Sequence, residues 1–231
     1  MAKTTPATLG LGTYTIPEAA HLVGVAPARV RRWIRGYAFE TQSGRHHSPP
    51  VWRPELGPRT GPGELGFRDL MELRVVTAFL ERGVSWPVVR RAHRVAERLV
   101  GHPFPFSTHA FSTDGSRIFA EAEALRRGGG PADLCTGQSY FDELMHRLVV
   151  QVEFGADELP ARWWPMGPGC QVLVDPRRSY GQPIVAREGV PTRVLAEAVR
   201  AGDSRVQVAR WFEVSRAALE DALRFERHVA A

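Results

Sequence analysis

Apolar residues recur at helical spacing in the first hundred residues and again near the end of the chain. Two short helical patterns flank a glycine between Tyr14 and Gly36, and two amphipathic helices are predicted over 67–82 and 86–100. Three further helices are predicted over 191–201, 204–212 and 215–227. The chain is therefore expected to be mostly helical, with helices concentrated at its two ends.

The segments between these helices favour turns and short strands. Residues 40–66 are rich in Pro and Gly and are interpreted as a loop or wing with one short strand at Val51–Arg53. Asp114-Gly115 lies between two extended segments within His109–Phe119, which predicts a hairpin. The other expectations for the middle are a short helix over Ala120–Arg126, a helix over Gln138–Leu148, a strand over Val149–Phe154, an irregular segment over Arg162–Cys170 and a strand over Gln171–Val174.

The basic excess of the chain is confined to its first quarter. The 231 residues carry 30 basic and 25 acidic side chains, a net charge of +5. Residues 1–63 hold 8 basic and 3 acidic side chains, which leaves 22 of each (30 − 8 and 25 − 3) in the rest. This distribution indicates a local surface that binds a polyanion. The absence of a long apolar run and of a signal-peptide pattern predicts a cytoplasmic chain with no membrane contact.

Residues 17–34 meet the requirements of a helix-turn-helix. A small residue, Ala20, stands where two helices must cross, and Gly24 stands at the sharp turn, where a positive φ is needed. Pro17 and Pro27 suit the starts of the two helices. The apolar positions are filled by Ala19, Val23, Val25, Val30 and Trp33.

The second of these helices carries four arginines on its expected outer face. With Val30, Trp33 and Ile34 inward, Arg32 and Arg35 point furthest outward, and Arg29 and Arg31 flank them. Arginine suits both phosphate contacts and guanine recognition. A solvated helix face is the alternative, but no acidic residue lies between Ala19 and Phe39 to balance the charge. These four residues are therefore predicted to bind DNA.

The stretch Tyr14–Leu99 resembles the MerR family of bacterial regulators. The resemblance runs through Tyr14–Ala20, Gly24–Trp33, Phe67-x-Asp-Leu-x-x-Leu and Gly83–Val89. It implies a winged helix-turn-helix in which a wing follows the recognition helix and a helix pair packs behind it. The chain departs from the family pattern in its long segment 37–66, and in Pro103 and Pro105, which stand where the dimerising helix of MerR activators would continue.

A second helix-turn-helix pattern lies near the C-terminus. Ala209 is its small residue, and Glu213 stands at the turn in place of glycine. Val174–Glu226 resembles a small bacterial domain of unknown function found in antitoxins that accompany PIN-type ribonuclease toxins, as in VapB-type antitoxins. The matching segments are Asp175-Pro176, Gly181–Val185, Val190–Leu195, Gly202–Ser204 and the spacing of Ala209, Phe212, Val214, Ala217 and Leu219. With 10 basic and 8 acidic residues over 175–231, this unit could bind DNA or serve for dimerisation.

These patterns predict an α+β chain that is mostly α with short β hairpins. Its parts are a MerR-like winged helix-turn-helix DNA-binding domain over 1–100, a β-containing middle region over 101–174 that makes partner or dimer contacts, and a three-helix, helix-turn-helix-like domain over 175–231.

Catalytic and metal-binding patterns are missing from the sequence. There is no P-loop, dinucleotide-binding, nucleophile-elbow or HExxH motif. The histidines lack the spacing of a metal site, so no metal and no cofactor are expected. Cys135 and Cys170 could form a sensor pair, but two small buried residues are the favoured interpretation. An enzyme with a DNA-targeting head is disfavoured for these reasons.

A candidate partner-binding segment lies between 160 and 180. Trp163 and Trp164 cannot both face inward in an extended segment, so one of them could anchor a partner. Arg177 and Arg178 could pair with the carboxylates of an acidic toxin active site. The alternative is a linker that contains a packed tryptophan pair.

The resemblances imply a non-enzymatic antitoxin of a type II toxin–antitoxin system. Such a chain would neutralise a PIN-type ribonuclease toxin, and as a homodimer on double-stranded operator DNA it would repress its own operon. The alternative is a MerR-like transcriptional regulator whose middle region senses a small molecule.

Overall fold

The computed structural model describes residues 10–57, 64–113, 115, 117 and 143–230, and its α+β architecture confirms the expected fold class. The helices are α1 (Ile16–Leu22), α2 (Pro27–Arg35), α3 (Phe67–Glu81), α4 (Trp86–Val100), α5 (Thr192–Arg200), α6 (Arg205–Trp211) and α7 (Arg216–Ala230). The strands are β1 (Tyr14–Thr15), β2 (Tyr37–Thr41), β3 (Gly44–Ser48), β4 (Glu64–Leu65), β5 (Val152–Phe154), β6 (Pro160–Trp163), β7 (Val172–Val174) and β8 (Pro183–Val185). None of the described helices is long and apolar enough to cross a membrane.

Helices α1 and α2 form the expected helix-turn-helix. A capping box starts α1: the Thr15 hydroxyl accepts a hydrogen bond from the Glu18 amide, and the Glu18 carboxylate accepts one from the Thr15 amide at 2.7 Å. The turn places Gly24 at φ +70°, which confirms the left-handed conformation expected there. Trp33 is 5% exposed and stacks on Trp86 of α4 with 5.4 Å between ring centroids. Helix α2 is therefore held by packing against the helix pair behind it.

The wing differs from the expectation. The strand predicted at Val51–Arg53 is wrong, and the paired strands are β2 and β3, which run antiparallel from Tyr37↔Ser48 to Thr41↔Gly44. Residues 51–53 instead connect the hairpin to the core, because the Val51 amide donates to the carbonyl of Trp33 at 2.9 Å and the Trp52 ring is buried. Strand β4 then pairs with β1.

A buried carboxylate fixes this connection to the start of α3. Asp69 accepts hydrogen bonds from the Trp52 indole at 2.7 Å, the Gly66 amide at 2.8 Å and the Glu55 amide at 3.0 Å. Burial raises the pKa of Asp69 to about 7, although these three donors act in the opposite direction. One side chain thus ties residues on both sides of segment 58–63 to α3.

The hairpin predicted at Asp114-Gly115 is also wrong. Residues 109–113, Gly115 and Arg117 are helical, because the Thr108 hydroxyl accepts from the Phe111 amide at 3.2 Å and Phe111 packs its ring against Phe79 and Phe106. The helix expected over 120–126 and the start of the one expected over 138–148 lie outside the described residues. Residues 143–150 are helical, so the following strand begins at Val152 rather than at Val149.

Strands β5 to β8 form one antiparallel sheet in sequence order. Arg162 and Trp163 lie in β6, so the segment expected to be irregular from Arg162 onwards begins as a strand; Gly167–Gly169 beyond it is irregular, as expected. Trp163 and Val174 share a continuous apolar core with helices α1 to α4. The division into 1–100, 101–174 and 175–231 stays a prediction.

The C-terminal helices follow the predicted pattern. Their core is a second apolar cluster that includes Leu195, Val208 and Leu219. The turn between α6 and α7 places Glu213 at φ +54°, so the glutamate adopts the conformation that Gly24 adopts in the first unit. Helix α7 extends to Ala230, and Phe225 packs against Val172 of the sheet.

Replacement of Trp33 by alanine tests the packing of α2. Trp33→Ala should lower the free energy of unfolding by about 3–5 kcal/mol, because it leaves a cavity beside Trp86. Trp211, which is 60% exposed, provides the control: Trp211→Ala should change the same quantity by less than about 0.5 kcal/mol. Urea denaturation followed by circular dichroism measures both, and equal effects would contradict the assigned register of α2.

The two turns give a paired prediction. Glu213→Gly should raise the free energy of unfolding by up to about 1 kcal/mol. The reason is that a left-handed backbone costs a residue with a Cβ atom more than glycine loses in conformational entropy on folding. Glu213→Ala keeps the Cβ atom and should give no such gain. Gly24→Ala should cost about 1–2 kcal/mol through the backbone alone, since an added Cβ meets no atom within 4 Å. Thermal denaturation of the three variants measures these differences, and a gain for Glu213→Ala equal to that for Glu213→Gly would contradict the backbone explanation.

Candidate nucleic-acid interface

The cationic face of α2 is exposed to solvent as the sequence predicts. Val30, Trp33 and Ile34 are buried, whereas the arginines on the other side of the helix are all exposed. The structure therefore brings together on one helix face the four predicted DNA-binding residues, Arg29, Arg31, Arg32 and Arg35. Their contact with DNA stays a prediction.

The start of α2 adds to the positive potential of this face. Its N-cap is Ala26, whose side chain cannot accept a hydrogen bond from the first turn, and its first turn holds no acidic residue. The positive end of a helix dipole favours a phosphate group nearby. Pro27 has no amide hydrogen and the Arg29 amide donates to the carbonyl of Ala26 at 2.9 Å, so an anion at this end of α2 would meet chiefly the helix dipole and the Arg29 guanidinium.

The β2–β3 hairpin begins directly after α2. Gly36 joins them at φ +71°, and a Cβ atom at this position would overlap the carbonyl oxygen of Ser48. The guanidinium of Arg32 lies 5.6 Å from the centroid of the Tyr37 ring, within the range of a cation–π contact. The hairpin and the exposed arginines of α2 therefore form adjoining surfaces.

Several polar side chains of the hairpin were missed as candidates by sequence reasoning. Arg45, His46 and His47 lie on exposed β3, and His46 stacks on Phe39 across the hairpin with 5.6 Å between ring centroids. The sequence signal for this hairpin was Thr41-Gln-Ser-Gly44, in which a glycine follows two polar residues. In the structure the two central residues form the loop and Gly44 adopts φ +112°. These residues can carry nucleic-acid contacts beside α2.

Helix α4 supports the base of the hairpin. Arg90 donates to the Ser48 hydroxyl and to the carbonyl of Pro49, the latter at 2.9 Å. Burial lowers the pKa of Arg90, and the neighbouring charge of Arg94 acts in the same direction. Glu97 is the only acidic residue within α4, so the arginines of this helix are not neutralised by carboxylates of the same helix.

The four predicted partner-binding residues have different environments. Trp163 is 4% exposed, and the guanidinium of Arg74 lies over it, 5.5 Å from the centroid of the Trp163 ring. Trp164 is half-buried and donates through its indole to Glu153 at 2.8 Å. Arg178 is partly buried and donates to the carbonyl of Ala186, whereas Arg177 is exposed. The structure leaves Trp164 and Arg177 as the accessible members of the set, and their role in partner binding stays a prediction.

The N-terminal segment is tied to the turn that follows β7. The Tyr14 hydroxyl donates to the carbonyl of Gly181 at 2.8 Å, and the Thr13 amide donates to the carbonyl of Tyr180 at 3.0 Å. Burial raises the pKa of Tyr14, and the charges of Asp175, Glu18 and Glu55 raise it further. The helix-turn-helix is thereby joined to the C-terminal half of the chain.

Metal or thiol chemistry has little support in the described part of the chain. No group of three His, Cys, Asp or Glu side chains is arranged to hold a metal ion within the described residues. Cys170 is buried beside Val172 and Phe225, and Cys135 lies outside the described residues. The environment of Cys170 is that of a small core residue.

Comparisons with known proteins identify relatives over most of the chain. The model of a family of unknown function, DUF433, matches residues 172–225, which include β7, β8, α5, α6 and the larger part of α7. A Mycobacterium tuberculosis protein named "Putative antitoxin VapB45" is 27% identical over 220 residues, covering 91% of this chain and 92% of its own length. The uncharacterized protein Rv2308 of the same organism is 22% identical and covers 93% and 90%.

A solved structure shares the fold. The X-ray crystal structure of Rv2018 from Mycobacterium tuberculosis superposes with a TM-score of 0.70 at 27% sequence identity. The match covers 91% of this chain and 96% of that one, so it includes both the N-terminal and the C-terminal units.

Removal of the outermost arginines tests the interface. Arg32→Ala combined with Arg35→Ala should weaken binding to the DNA upstream of the operon. The loss should be about 1–3 kcal/mol for each arginine that contacts a base. For each arginine that contacts a phosphate, the slope of log affinity against log salt concentration should fall by about 1. Fluorescence anisotropy over a salt titration measures both quantities. Arg147→Ala with Arg187→Ala removes two exposed arginines outside both helix-turn-helix units and should leave binding unchanged. Unaltered binding by the first variant would contradict the assignment.

Proposed function

We propose that this chain is a DNA-binding antitoxin of a type II toxin–antitoxin system. Its MerR-like N-terminal domain binds operator DNA through Arg29, Arg31, Arg32 and Arg35 and represses the operon that encodes it. The remainder of the chain dimerises and holds a PIN-type ribonuclease toxin in the cytoplasm. The protein acts by binding and not as an enzyme.

The similarity to VapB45 carries this proposal. It extends over 91% of the chain and therefore includes both the helix-turn-helix and the C-terminal unit. The exposed, acid-free face of α2 independently supports binding to a polyanion, because four guanidinium groups lie on one accessible helix. A homodimer is proposed because two copies of one recognition helix can read two half-sites of a palindromic operator.

The alternative of a regulator with a ligand-sensing middle region has weaker support. The cavity lined by Met71, Phe106, Met145, Leu148 and Val152 has a volume of about 20 Å³. That volume accommodates about one water molecule, whereas small-molecule sites usually measure about 300–1,000 Å³. This cavity therefore does not favour the alternative.

Co-purification with the product of the neighbouring gene tests the proposal. The untagged neighbour should co-elute with the tagged chain, and the complex should bind the upstream DNA. Failure of the wild-type chain to bind a co-encoded ribonuclease, or to suppress its RNA cleavage, would contradict the antitoxin role. Size-exclusion chromatography with light scattering measures the oligomeric state. A monomer at the concentrations used for DNA binding would contradict the proposed dimer.

The accessible residues of segment 160–180 give a narrower prediction. Trp164→Ala with Arg177→Ala should weaken toxin binding and leave operator binding unchanged, because neither residue belongs to α2 or to the β2–β3 hairpin. Trp163→Ala is not informative here, since Trp163 belongs to the core. Trp211→Ala, at an exposed tryptophan elsewhere, is the control for a pull-down with the purified toxin. Normal toxin binding by the double variant would contradict the assignment of this segment.

A further inference from the structure

Helices α5 and α7 enclose an open groove on the C-terminal unit. One wall presents Arg193, Ala196, Glu197 and Arg200 of α5, and the other presents Leu223, Glu226, Arg227 and Ala230 of α7. Each set follows the spacing i, i+3, i+4, i+7, so each wall is one continuous face of a helix. The groove has a volume of about 600 Å³ and spans about two helical turns.

The floor of the groove is apolar. Ala196 and Leu223 are buried at its base, Val199 is half-buried beside them, and Ala230 is exposed at one end of the groove. An apolar strip between two helices can receive the apolar face of a third helix. This arrangement is the usual receptor for an amphipathic helix whose apolar side chains recur at the same spacing.

Basic side chains outnumber acidic ones around the groove. Its lining includes four arginines, Arg193, Arg200, Arg205 and Arg227, and two glutamates, Glu197 and Glu226. Glu226 accepts a hydrogen bond from the Thr192 hydroxyl at 2.5 Å. Arg193 pairs with Glu197 at 3.8 Å, and Arg205 pairs with Glu220 at 2.9 Å. Arg200 and Arg227 form no ion pair with any carboxylate of the described residues. Two uncompensated guanidinium groups beside an apolar floor complement carboxylates that flank an apolar stripe.

The groove adjoins the N-terminal helix-turn-helix. His21 in the last turn of α1 lines it, and Leu22 packs next to Phe225 of α7. A smaller cavity of about 150 Å³ shares His21, Arg193 and Glu226 with it and continues along α1 towards Tyr14. An occupant would therefore touch both the C-terminal helices and the first helix of the DNA-binding unit.

We propose that this groove is a docking site for an acidic amphipathic helix of a partner protein. The apolar face of that helix lies on Ala196, Val199 and Leu223, and its carboxylates face Arg200 and Arg227. The site is separate from segment 160–180, and the inference does not depend on whether the chain neutralises a toxin.

Synthetic peptides test the inference on the full-length chain. The probe is a fluorescein-labelled 15-residue peptide with Leu at positions i, i+3, i+4 and i+7 and Glu and Ala elsewhere, and its partner has Lys in place of every Glu. Fluorescence anisotropy should show that the acidic peptide binds at least tenfold more tightly than the basic one. Its affinity should fall at least threefold between 50 and 500 mM NaCl, because salt screens the charge pairs.

Variants locate the binding in the groove. Arg200→Glu with Arg227→Glu should weaken binding of the acidic peptide at least tenfold, and Ala230→Trp should do the same by obstructing one end of the groove without a change of charge. The controls are Arg187→Glu with Arg216→Glu and Ala217→Trp, at exposed positions outside the groove. Thermal denaturation verifies that each variant remains folded.

Four results would overturn the inference. Equal binding of the acidic and basic peptides would exclude charge recognition, and equal losses in the groove and control variants would exclude this location. Direct binding of a duplex oligonucleotide of random sequence, competitive with the peptide on the wild type and weakened by Arg200→Glu with Arg227→Glu but not by the control pair, would assign the groove to nucleic acid. Loss of a wild-type dimer in that variant, without peptide binding by the wild type, would assign it to a second copy of the chain.

Discussion

The burial of one side of α2 against the helix pair behind it determines how the chain presents its charge. A nine-residue helix is marginal in isolation, so its stability and orientation come from packing. The stacking of Trp33 on Trp86 sets the rotation of α2, and the arginines on the opposite side then meet solvent. The position of the hairpin follows as well, because Gly36 connects it directly to the end of α2.

Buried polar contacts connect α2 and its hairpin to the rest of the molecule. Asp69 holds the segment after the hairpin, and the Tyr14 hydroxyl joins the start of the helix-turn-helix to Gly181. Loss of either partner would leave a buried polar group unpaired, which costs more than the hydrogen bond itself contributes. These contacts join the N-terminal helix-turn-helix to the C-terminal unit, although the two have separate apolar clusters.

The two helix-turn-helix arrangements share a turn geometry and differ in charge. In the first, the arginines of α2 have no acidic neighbour on their helix. In the second, 8 acidic residues stand against 10 basic ones over 175–231, and Arg205 pairs with Glu220 and Arg224 with Asp221 at 2.6 Å. This difference favours α2 for DNA, and Arg200 and Arg227 are two of the arginines of the C-terminal unit that have no ion pair within the described residues.

The sequence by itself determined the features that depend on local spacing. The period of apolar residues placed α2 to α4 and the C-terminal helices, and the glycine at the turn indicated a positive φ at Gly24, because both signals lie within a few residues of what they describe. Tertiary structure alone decided that Trp163 faces inward, that residues 51–53 connect the hairpin to the core, and that α5 and α7 enclose a groove. Each of these depends on contacts between residues far apart in the chain, such as Arg74 with Trp163 and Trp52 with Asp69, which no local pattern encodes.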